Sequence, residues 1–283
     1  MWKKNVETFI GCESEYQNAD IVLFGAPFDS TTSYRPGTRF ASRAIRGESF
    51  GIETYSPYQD RDLCDLKVFD GGDLELPFGD CGRALAQIQA CVCGILEDGK
   101  LPVMMGGEHL VTLGAVRAAA ERYPQLHIIQ FDAHADLRDS YLDVALSHAC
   151  VMRRCHEIIG DGRIYQFGIR SGDRQEFAFA EKHTFMERFT LHETQKQAAL
   201  LEGKPVYLTI DLDVLDPSIF PGTGTPEAGG VSFAELLAAI RGICGRLHIV
   251  GCDINELSPI YDQSGVSTAV ACKLLRELLL SLR

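Results

Sequence analysis

The sequence lacks the features that define several large classes of protein. No apolar run reaches the ~18 residues that a membrane-spanning helix needs. Residues 1–7 lack the apolar stretch of a signal peptide, so we expect a cytoplasmic protein. Basic residues are outnumbered, with 27 Lys and Arg against 39 Asp and Glu. The formal charge of −12 argues against binding to nucleic acids or anionic membranes.

Two kinds of motif are also missing. There is no P-loop and no GxGxxG sequence, so the glycines give no sign of a nucleotide phosphate site. None of the 10 cysteines forms a CxxC pair, and many lie in apolar runs, for example Cys91 and Cys93. We therefore expect reduced and mostly buried thiols rather than disulfides.

Strand-like and helix-like segments alternate along the 283 residues. This pattern predicts a mostly parallel sheet covered by helices on both faces, that is, a single-domain α/β/α sandwich. The predicted strands are 21–24, 66–69, 101–105, 126–131, 164–168, 205–210 and 247–252. The predicted helices are 40–50, 83–96, 110–122, 233–244 and 266–280.

The most informative segment follows the strand predicted over 126–131. Asp132, His134 and Asp136 place three metal-capable side chains within five residues. Because alternate residues of a strand point to the same side, we expect these three side chains to converge. Buried together they are costly unless a cation meets them, which favours a divalent metal ion.

Further candidate ligands follow two other predicted strands. Asp211 and Asp213 come at the end of strand 205–210, and His109 follows strand 101–105 after two glycines. In α/β sheets, sites form at the carboxyl ends of the strands. Six ligands exceed what one zinc ion takes. Four carboxylates and two imidazoles instead suit two divalent ions that share carboxylates, and this oxygen-rich set favours Mn²⁺ over Zn²⁺.

In order and spacing, these motifs resemble those of the ureohydrolases, the family of arginases and agmatinases. The motifs are GGEH at 106–109, DAHAD at 132–136, DLDVLDP at 211–217, PGTGTP at 221–226 and GCDINE at 251–256. Segments 33–39, 55–58, 146–149 and 167–172 are most similar to bacterial agmatinases. The resemblance implies that residues 1–283 form one arginase-like domain with a sheet of about eight strands.

The resemblance also implies a cofactor of two Mn²⁺ ions per subunit. A hydroxide held between the ions would attack the guanidinium carbon of the substrate and release urea. The expected ligands are Asp132 and Asp211 as bridges, His109 and Asp136 on one ion, and His134 and Asp213 on the other.

Three residues carry the catalytic roles that the resemblance implies, namely His148, Glu256 and Asp136. His148 would bring a proton to the leaving nitrogen, since an imidazole titrates near neutral pH. Glu256 would bind the guanidinium group through paired charge-assisted hydrogen bonds. Asp136 would act through the metal that it ligates, whereas His148 and Glu256 would contact the substrate.

The expected partner is a small guanidino substrate, and agmatine, giving putrescine and urea, is the first choice. The family also suggests a homo-oligomer, a trimer or a hexamer. Position 138 is Arg, where arginases carry the Asn that helps to hold the substrate α-carboxylate, and the loop between Asp136 and His148 is one residue shorter than in arginases. Both differences disfavour arginine. Arg138 could instead bind a carboxylate-bearing substrate such as 4-guanidinobutyrate.

Two functions of other classes fit part of the pattern. A catalytically silent metal-binding protein would keep the ligands, but His148 and Glu256 argue against it. A single-zinc deacetylase would leave carboxylates in excess.

Other polar residues and one loop have weaker signals. We expect Asp253 to support the site and the Gly/Pro-rich segment 216–230 to form an ordered loop at its rim. We expect no ligand role for the histidines that lack a partner at ligand spacing, His156, His183, His192 and His248.

Overall fold

The computed structural model describes residues 7–282. Ten strands and eight helices are numbered along the chain. The strands are β1 (Ile21–Ala26), β2 (Tyr55–Ser56), β3 (Arg61–Asp62), β4 (Val68–Asp73), β5 (Leu101–Gly106), β6 (His127–Phe131), β7 (Ile164–Ile169), β8 (Phe185–Arg188), β9 (Pro205–Asp211) and β10 (His248–Asn255). The helices are α1 (Ala41–Ser49), α2 (Cys81–Glu97), α3 (Thr112–Arg122), α4 (Val151–Ile159), α5 (Arg174–His183), α6 (Thr194–Leu200), α7 (Phe233–Arg246) and α8 (Val266–Ser281).

Eight of the strands form one sheet in the order β4-β1-β5-β10-β9-β6-β7-β8. Every neighbouring pair in this sheet is parallel, so all the carboxyl ends lie along one edge. The short strands β2 and β3 pair separately as an antiparallel hairpin. The four central strands β5, β10, β9 and β6 bring their carboxyl ends together, and the site forms there.

Both faces of the sheet are buried. In β1 the side chain of Leu23 enters one apolar core, and those of Val22 and Phe24 enter the other, as the two-residue period of a strand requires. Residues of α1, α6, α7 and α8 cover the first face, and residues of α2, α3, α4 and α5 cover the second. The predicted α/β/α sandwich with a parallel sheet of about eight strands is confirmed.

Local sequence signals explain where several helices begin. The side chain of Asp173 accepts hydrogen bonds from the backbone of Gln175 and Glu176, and the Glu176 side chain accepts one from the Asp173 backbone, a capping box that starts α5. Ser232 and Glu235 form the same arrangement at the start of α7. These reciprocal bonds satisfy backbone donors that the first turn of a helix leaves free.

The predicted elements are all present with shifted bounds, but helices α4, α5 and α6 and strands β2, β3 and β8 were not predicted. Helix α5 buries only Glu176 and Ala180, so its sequence carries little apolar periodicity. Strand β8 lies at the edge of the sheet and has no fully buried residue. Within residues 7–282, none of the helices combines the length and apolar character that a bilayer span requires.

Candidate metal centre and active site

The six predicted ligands come together at the carboxyl ends of three of the central strands. Strand β5 leads into His109, β6 leads into the segment 132–136, and β9 ends with Asp211 and the turn that carries Asp213. The register pairs Phe131 with Ile210, so that Asp132 and Asp211 are adjacent at the sheet edge. Parallel pairing therefore brings ligands far apart in sequence into one cluster.

The first group of donor atoms surrounds the His109 ring. Its Nδ1 atom lies 3.0 Å from an oxygen of Asp132, 3.0 Å from one of Asp136 and 3.5 Å from one of Asp211. His109 and Asp132 are buried, and Asp136 and Asp211 are nearly so. One imidazole nitrogen thus faces three carboxylate oxygens of buried side chains at the base of a pocket.

The second group surrounds the His134 ring. Its Nδ1 atom lies 3.0 Å from Oδ2 of Asp213 and 3.7 Å from Oδ1 of Asp132. Asp132 directs its other oxygen, Oδ2, towards His109. Asp132 belongs to both of the groups of donor atoms at this edge of the sheet, and the two groups divide the histidines as the resemblance implies.

Hydrogen bonds orient the His109 ring towards the carboxylates. Its Nε2 atom lies 2.8 Å from the hydroxyl of Thr209, which is buried in the middle of β9. The Nδ1 atom is buried and has no partner of hydrogen-bonding geometry among residues 7–282. A ring that donates through Nε2 presents the Nδ1 lone pair, as a metal ligand must.

The electrostatics of the cluster show that it requires positive charge. Burial lowers the pKa of His109, but its contacts with Asp132 and Asp136 outweigh burial and raise that pKa well above its usual value. Burial, followed by the charge of Asp132, raises the pKa of Asp136 to about 7. Burial and the charge of Asp213 also raise the pKa of Asp211.

A divalent ion supplies such charge without protons. The four carboxylates, the two imidazoles and the unpaired Nδ1 of His109 are therefore a donor set that fits two divalent ions.

The segment 132–136 reaches this arrangement by a route different from the predicted one. Strand β6 ends at Phe131, and Asp136 has a left-handed backbone with φ of 54°. The segment therefore lies beyond the strand, with an isolated bridge between His134 and Ser171, and strand alternation is not the reason why its side chains converge. Backbone hydrogen bonds hold it: Ala135 N–H donates to the Ser171 carbonyl, and Met152 N–H donates to the Asp136 carbonyl.

Glu256 lies beside the donor groups, directly after β10. One of its oxygens, Oε1, accepts a hydrogen bond of 2.6 Å from the backbone N–H of His109. The side chain is buried and lines the pocket over the candidate metal ligands. Burial and the charge of Glu108 raise the pKa of Glu256 well above its usual value. A bound cation would stabilise its charged form, and Oε2 is not committed to the His109 backbone.

His148 lines the same pocket, in a short turn that precedes α4. Burial, with the charge of His134, lowers the pKa of His148 to about 4, so its ring is neutral at pH 7. Its backbone N–H donates to the Thr31 hydroxyl at 3.0 Å. That hydroxyl in turn donates to Oε1 of Glu108 at 2.7 Å.

Sequence reasoning missed Thr31, Glu108 and Thr209, which hold these functional side chains. Glu108 stands inside the GGEH motif, and that position was its only signal. The glycine before it is required by close packing, because a Cβ at Gly107 would lie 1.9 Å from the Phe28 carbonyl oxygen. Nothing in the sequence connects Thr31 with His148, 117 residues away.

Asp253 lies beneath the His109 ring rather than in the pocket. The hydroxyls of Tyr207 and Thr112 donate to one of its oxygens at 2.7 and 2.9 Å, and the Asn255 amide donates to the other at 2.7 Å. The Asn255 amide also lies 3.4 Å from the Thr209 hydroxyl. Asp253 therefore holds the buried polar side chains that surround Thr209, the hydrogen-bond partner of His109.

Arg138 lines the pocket, but its charge faces two carboxylates. One of its nitrogens, Nη1, lies 3.2 Å from Asp173, and Nε lies 3.4 Å from Glu176. Its guanidinium also lies 4.9 Å from the ring centre of Tyr141. Arg138, which the sequence suggested as a partner for a substrate carboxylate, is therefore already paired with Asp173 and Glu176 at the start of α5.

The Gly/Pro-rich segment 216–230 forms part of the rim. Thr225 lines the pocket, and Glu227 accepts a hydrogen bond of 2.9 Å from the Ser171 hydroxyl. The Arg170 guanidinium donates to the backbone carbonyls of Asp213 at 2.7 Å and Glu227 at 2.9 Å. Arg170 therefore ties this loop to the turn that carries a candidate ligand.

Two of the remaining histidines, which have no partner at ligand spacing in the sequence, come together in the fold. His156 and His183, 27 positions apart in sequence, both contact Asp161, away from the pocket. Sequence spacing could not reveal this cluster, because its members come from two helices and a loop.

Comparison with known proteins agrees with the geometry of the site. Residues 19–281 match the sequence profile of the Arginase family. The chain is 47% identical over 277 residues to a protein of Bacillus subtilis (strain 168) named agmatinase, a match that covers 97% of this chain and 96% of the relative. It is 33% identical over 279 residues to a human protein named mitochondrial guanidino acid hydrolase, covering 94% of this chain and 79% of the relative.

Solved structures give the same result. The crystal structure of the agmatine ureohydrolase of Thermoplasma volcanium matches with a TM-score of 0.90 at 35% identity, covering 98% of this chain and 94% of the other. The chain therefore belongs to the arginase family and is an enzyme of the ureohydrolase type.

Proposed function

We propose that this enzyme hydrolyses agmatine to putrescine and urea with two Mn²⁺ ions as cofactor. The observation that carries the proposal is the pair of donor groups that share Asp132, placed at the base of a pocket lined by Glu256 and His148. Relatives that are 44–47% identical to the chain and named agmatinase support the choice of substrate.

The proposed ligands divide between two ions as the resemblance implies, and the contacts of Asp132 with both histidines support this division. His109 and Asp136 would hold one ion, His134 and Asp213 would hold the other, and Asp132 and Asp211 would lie between them. When bound, two such ions lower the pKa of water and so supply a nucleophile at neutral pH. The oxygen-rich donor set favours Mn²⁺ over softer ions.

Glu256 would bind and orient the guanidinium group. Its oxygen Oε1 is fixed by the His109 backbone, and the carboxylate is buried where water competes little. A charge-assisted hydrogen bond from a guanidinium is strong in such surroundings. The same bond would place the guanidinium carbon over the metal ligands, which is the orientation that the reaction needs.

His148 would bring a proton to the leaving nitrogen. Its ring is neutral at pH 7, so it can accept the proton that the attacking water loses and pass it to the leaving amine. The Thr31 hydroxyl also lies 3.4 Å from Nδ1 of His148, and the Ser33 hydroxyl lies 3.4 Å from Nε2. These contacts limit how far the ring can swing from the pocket.

The charges at the rim favour a substrate with a second cation. Arg138 is paired with Asp173 and Glu176, so it offers little to a substrate carboxylate. Glu227 adds a further carboxylate, 3.9 Å from Nε2 of His134. Agmatine carries an ammonium group at the end opposite its guanidinium, and this group suits an acidic rim better than the carboxylate of 4-guanidinobutyrate does.

Urea release tests the proposal. The protein is loaded with Mn²⁺ and assayed with agmatine, 4-guanidinobutyrate and arginine at equal concentrations. We expect the highest kcat/KM for agmatine. Activity on another substrate with none on agmatine at millimolar concentration would refute the choice of substrate, and no urea from any guanidine would favour a catalytically silent protein.

A carboxylate-bearing substrate is the second candidate, since Arg138 does line the pocket. The variant Arg138→Gln separates the two. If Arg138 binds a substrate carboxylate, the variant loses activity on 4-guanidinobutyrate by a KM effect. If the ion pairs only fix the rim, agmatine and 4-guanidinobutyrate are affected alike.

A further inference from the structure

A second cluster of metal-capable side chains lies at the edge of the sheet opposite the pocket. His156 lies near the end of α4, Asp161 lies in the loop that leads to β7, and His183 is the last residue of α5. The proposed Mn²⁺ ligands follow the carboxyl ends of the strands, whereas this loop precedes the amino end of β7. The two clusters are therefore separate sites.

The three side chains already converge on one atom. Oδ1 of Asp161 lies 2.7 Å from Nε2 of His156 and 2.7 Å from Nδ1 of His183. The candidate donor atoms lie within 4.8 Å of one another. No residue of the proposed active site takes part in this cluster.

The backbone and an aromatic ring hold this geometry in place. Gly160 N–H donates to the carbonyl of His156 at 2.8 Å, and Gly162 N–H donates to that of His183 at 2.8 Å. Both glycines have left-handed backbone, with φ of 85° and 69°, and the tight loop between them presents Asp161 to both rings. The Phe179 ring stacks on His183 at 4.2 Å and meets His156 edge-on at 4.9 Å.

This donor set differs in kind from that of the active site. Two imidazoles and one carboxylate, open to water on one side, are the protein ligands of many zinc sites that keep a water as the fourth ligand. Imidazole-rich sets bind Zn²⁺ more strongly than Mn²⁺. Zinc bonds of about 2.0–2.1 Å require the donors to be roughly 0.6 Å farther apart than 2.7 Å, and the exposed side chain of Asp161 can make that shift.

We propose that His156, Asp161 and His183 form a third metal site, which binds Zn²⁺ or a similar transition-metal ion. The proposal goes beyond the hydrolysis of agmatine and does not depend on it. The ion would join the carboxyl ends of α4 and α5. The opposite ends of these helices begin beside His148 and at Asp173, so the ion would brace two walls of the pocket from a distance.

Metal analysis tests the proposal. Protein loaded with Mn²⁺ and freed of excess metal receives Zn²⁺ at one to two equivalents, and bound zinc and manganese are measured by mass spectrometry after gel filtration. We expect wild type to gain about one Zn²⁺ per chain without losing Mn²⁺. His183→Gln and Asp161→Asn should lose this zinc and keep their manganese, whereas His192→Gln, a change at an exposed histidine elsewhere, should behave as wild type.

Three results would overturn the proposal. Zinc that enters only as manganese leaves belongs to the active site. Zinc retained equally by wild type, His183→Gln and Asp161→Asn is bound elsewhere. If wild type binds no zinc, the three side chains form a hydrogen-bonded His–Asp–His cluster and not a metal site. The variants' folding is checked independently by their manganese content, and Zn²⁺ should raise the Tm of wild type, by roughly 5 °C, but not that of the variants.

Discussion

The hydroxyl of Thr209 gives a sharp test of how the protein prepares His109 for metal. Replacing Thr209 with Val keeps the shape of a β-branched side chain in β9 but removes the acceptor 2.8 Å from Nε2 of His109. Without that acceptor, the Nε2 proton is buried and unpaired. The ring is then free to move its proton to Nδ1, where three carboxylate oxygens lie within 3.5 Å and the metal lone pair is lost.

The expected loss of Mn²⁺ affinity follows from removing the one hydrogen bond that orients the His109 ring. Partners that orient a metal-bound histidine are typically worth 10–100-fold in metal affinity, or about 1.4–2.7 kcal/mol. A buried N–H left unpaired costs a similar amount, about 1–3 kcal/mol, but it destabilises the metal-free and metal-bound forms together. We therefore expect Thr209→Val to weaken Mn²⁺ binding by roughly 10–100-fold.

Competition with a chelating indicator measures this affinity directly. Thr209→Ser is the matched control, because it restores the hydroxyl while losing only a methyl group, and its affinity should lie close to that of wild type. Equal Mn²⁺ affinity in Thr209→Val and wild type would show that the hydroxyl does not orient the ring, and the reasoning would fail.

The remaining predictions concern the other polar groups and the thiols. Asp211→Asn should lower the bound Mn²⁺ and nearly abolish urea release; full activity would refute its role as a ligand. His148→Asn should keep both ions, as metal analysis would show, while kcat falls by about 10²–10⁴-fold; loss of metal would mean that His148 is misassigned. Thr31→Val should lower kcat more than it raises KM, because it frees the His148 turn; a change in KM alone would contradict this. At pH 8, iodoacetamide should label the exposed Cys64. Cys244, whose pKa burial raises to about 12, should react only on unfolding. Labelled Cys244 in the native protein, detected by mass spectrometry, would contradict this.

Much of the fold could be predicted because its signals are local. Apolar runs such as 101–105 and 205–210 alternate with helical patterns, and this is enough to require a parallel sheet with covered faces. The elements that were missed have weak local signals. Helix α5 is largely exposed, and its position comes from the capping box at Asp173 and from packing against the sheet.

The candidate site, like the fold, could be predicted from the sequence only in part. Ligand types and their places at strand ends follow from the sequence, because parallel strands align their carboxyl ends. The left-handed turn at Asp136, the contact of Thr31 with His148 and the pairing of Arg138 do not, because each depends on segments that meet only in the folded chain. Resemblance supplied the roles, and geometry supplied the partners that hold the side chains.

By itself, then, the sequence determined the layered α/β architecture, the six candidate ligands and the family to which the chain belongs. Periodicity and short motifs carry that information, since both act through neighbouring residues. The tertiary structure alone decided which hydroxyl orients His109, that Arg138 is paired with Asp173 and Glu176, and that His156 and His183 share Asp161. Those outcomes depend on distances of a few ångströms between residues remote in sequence, and only the packing of the sheet and its helices sets such distances.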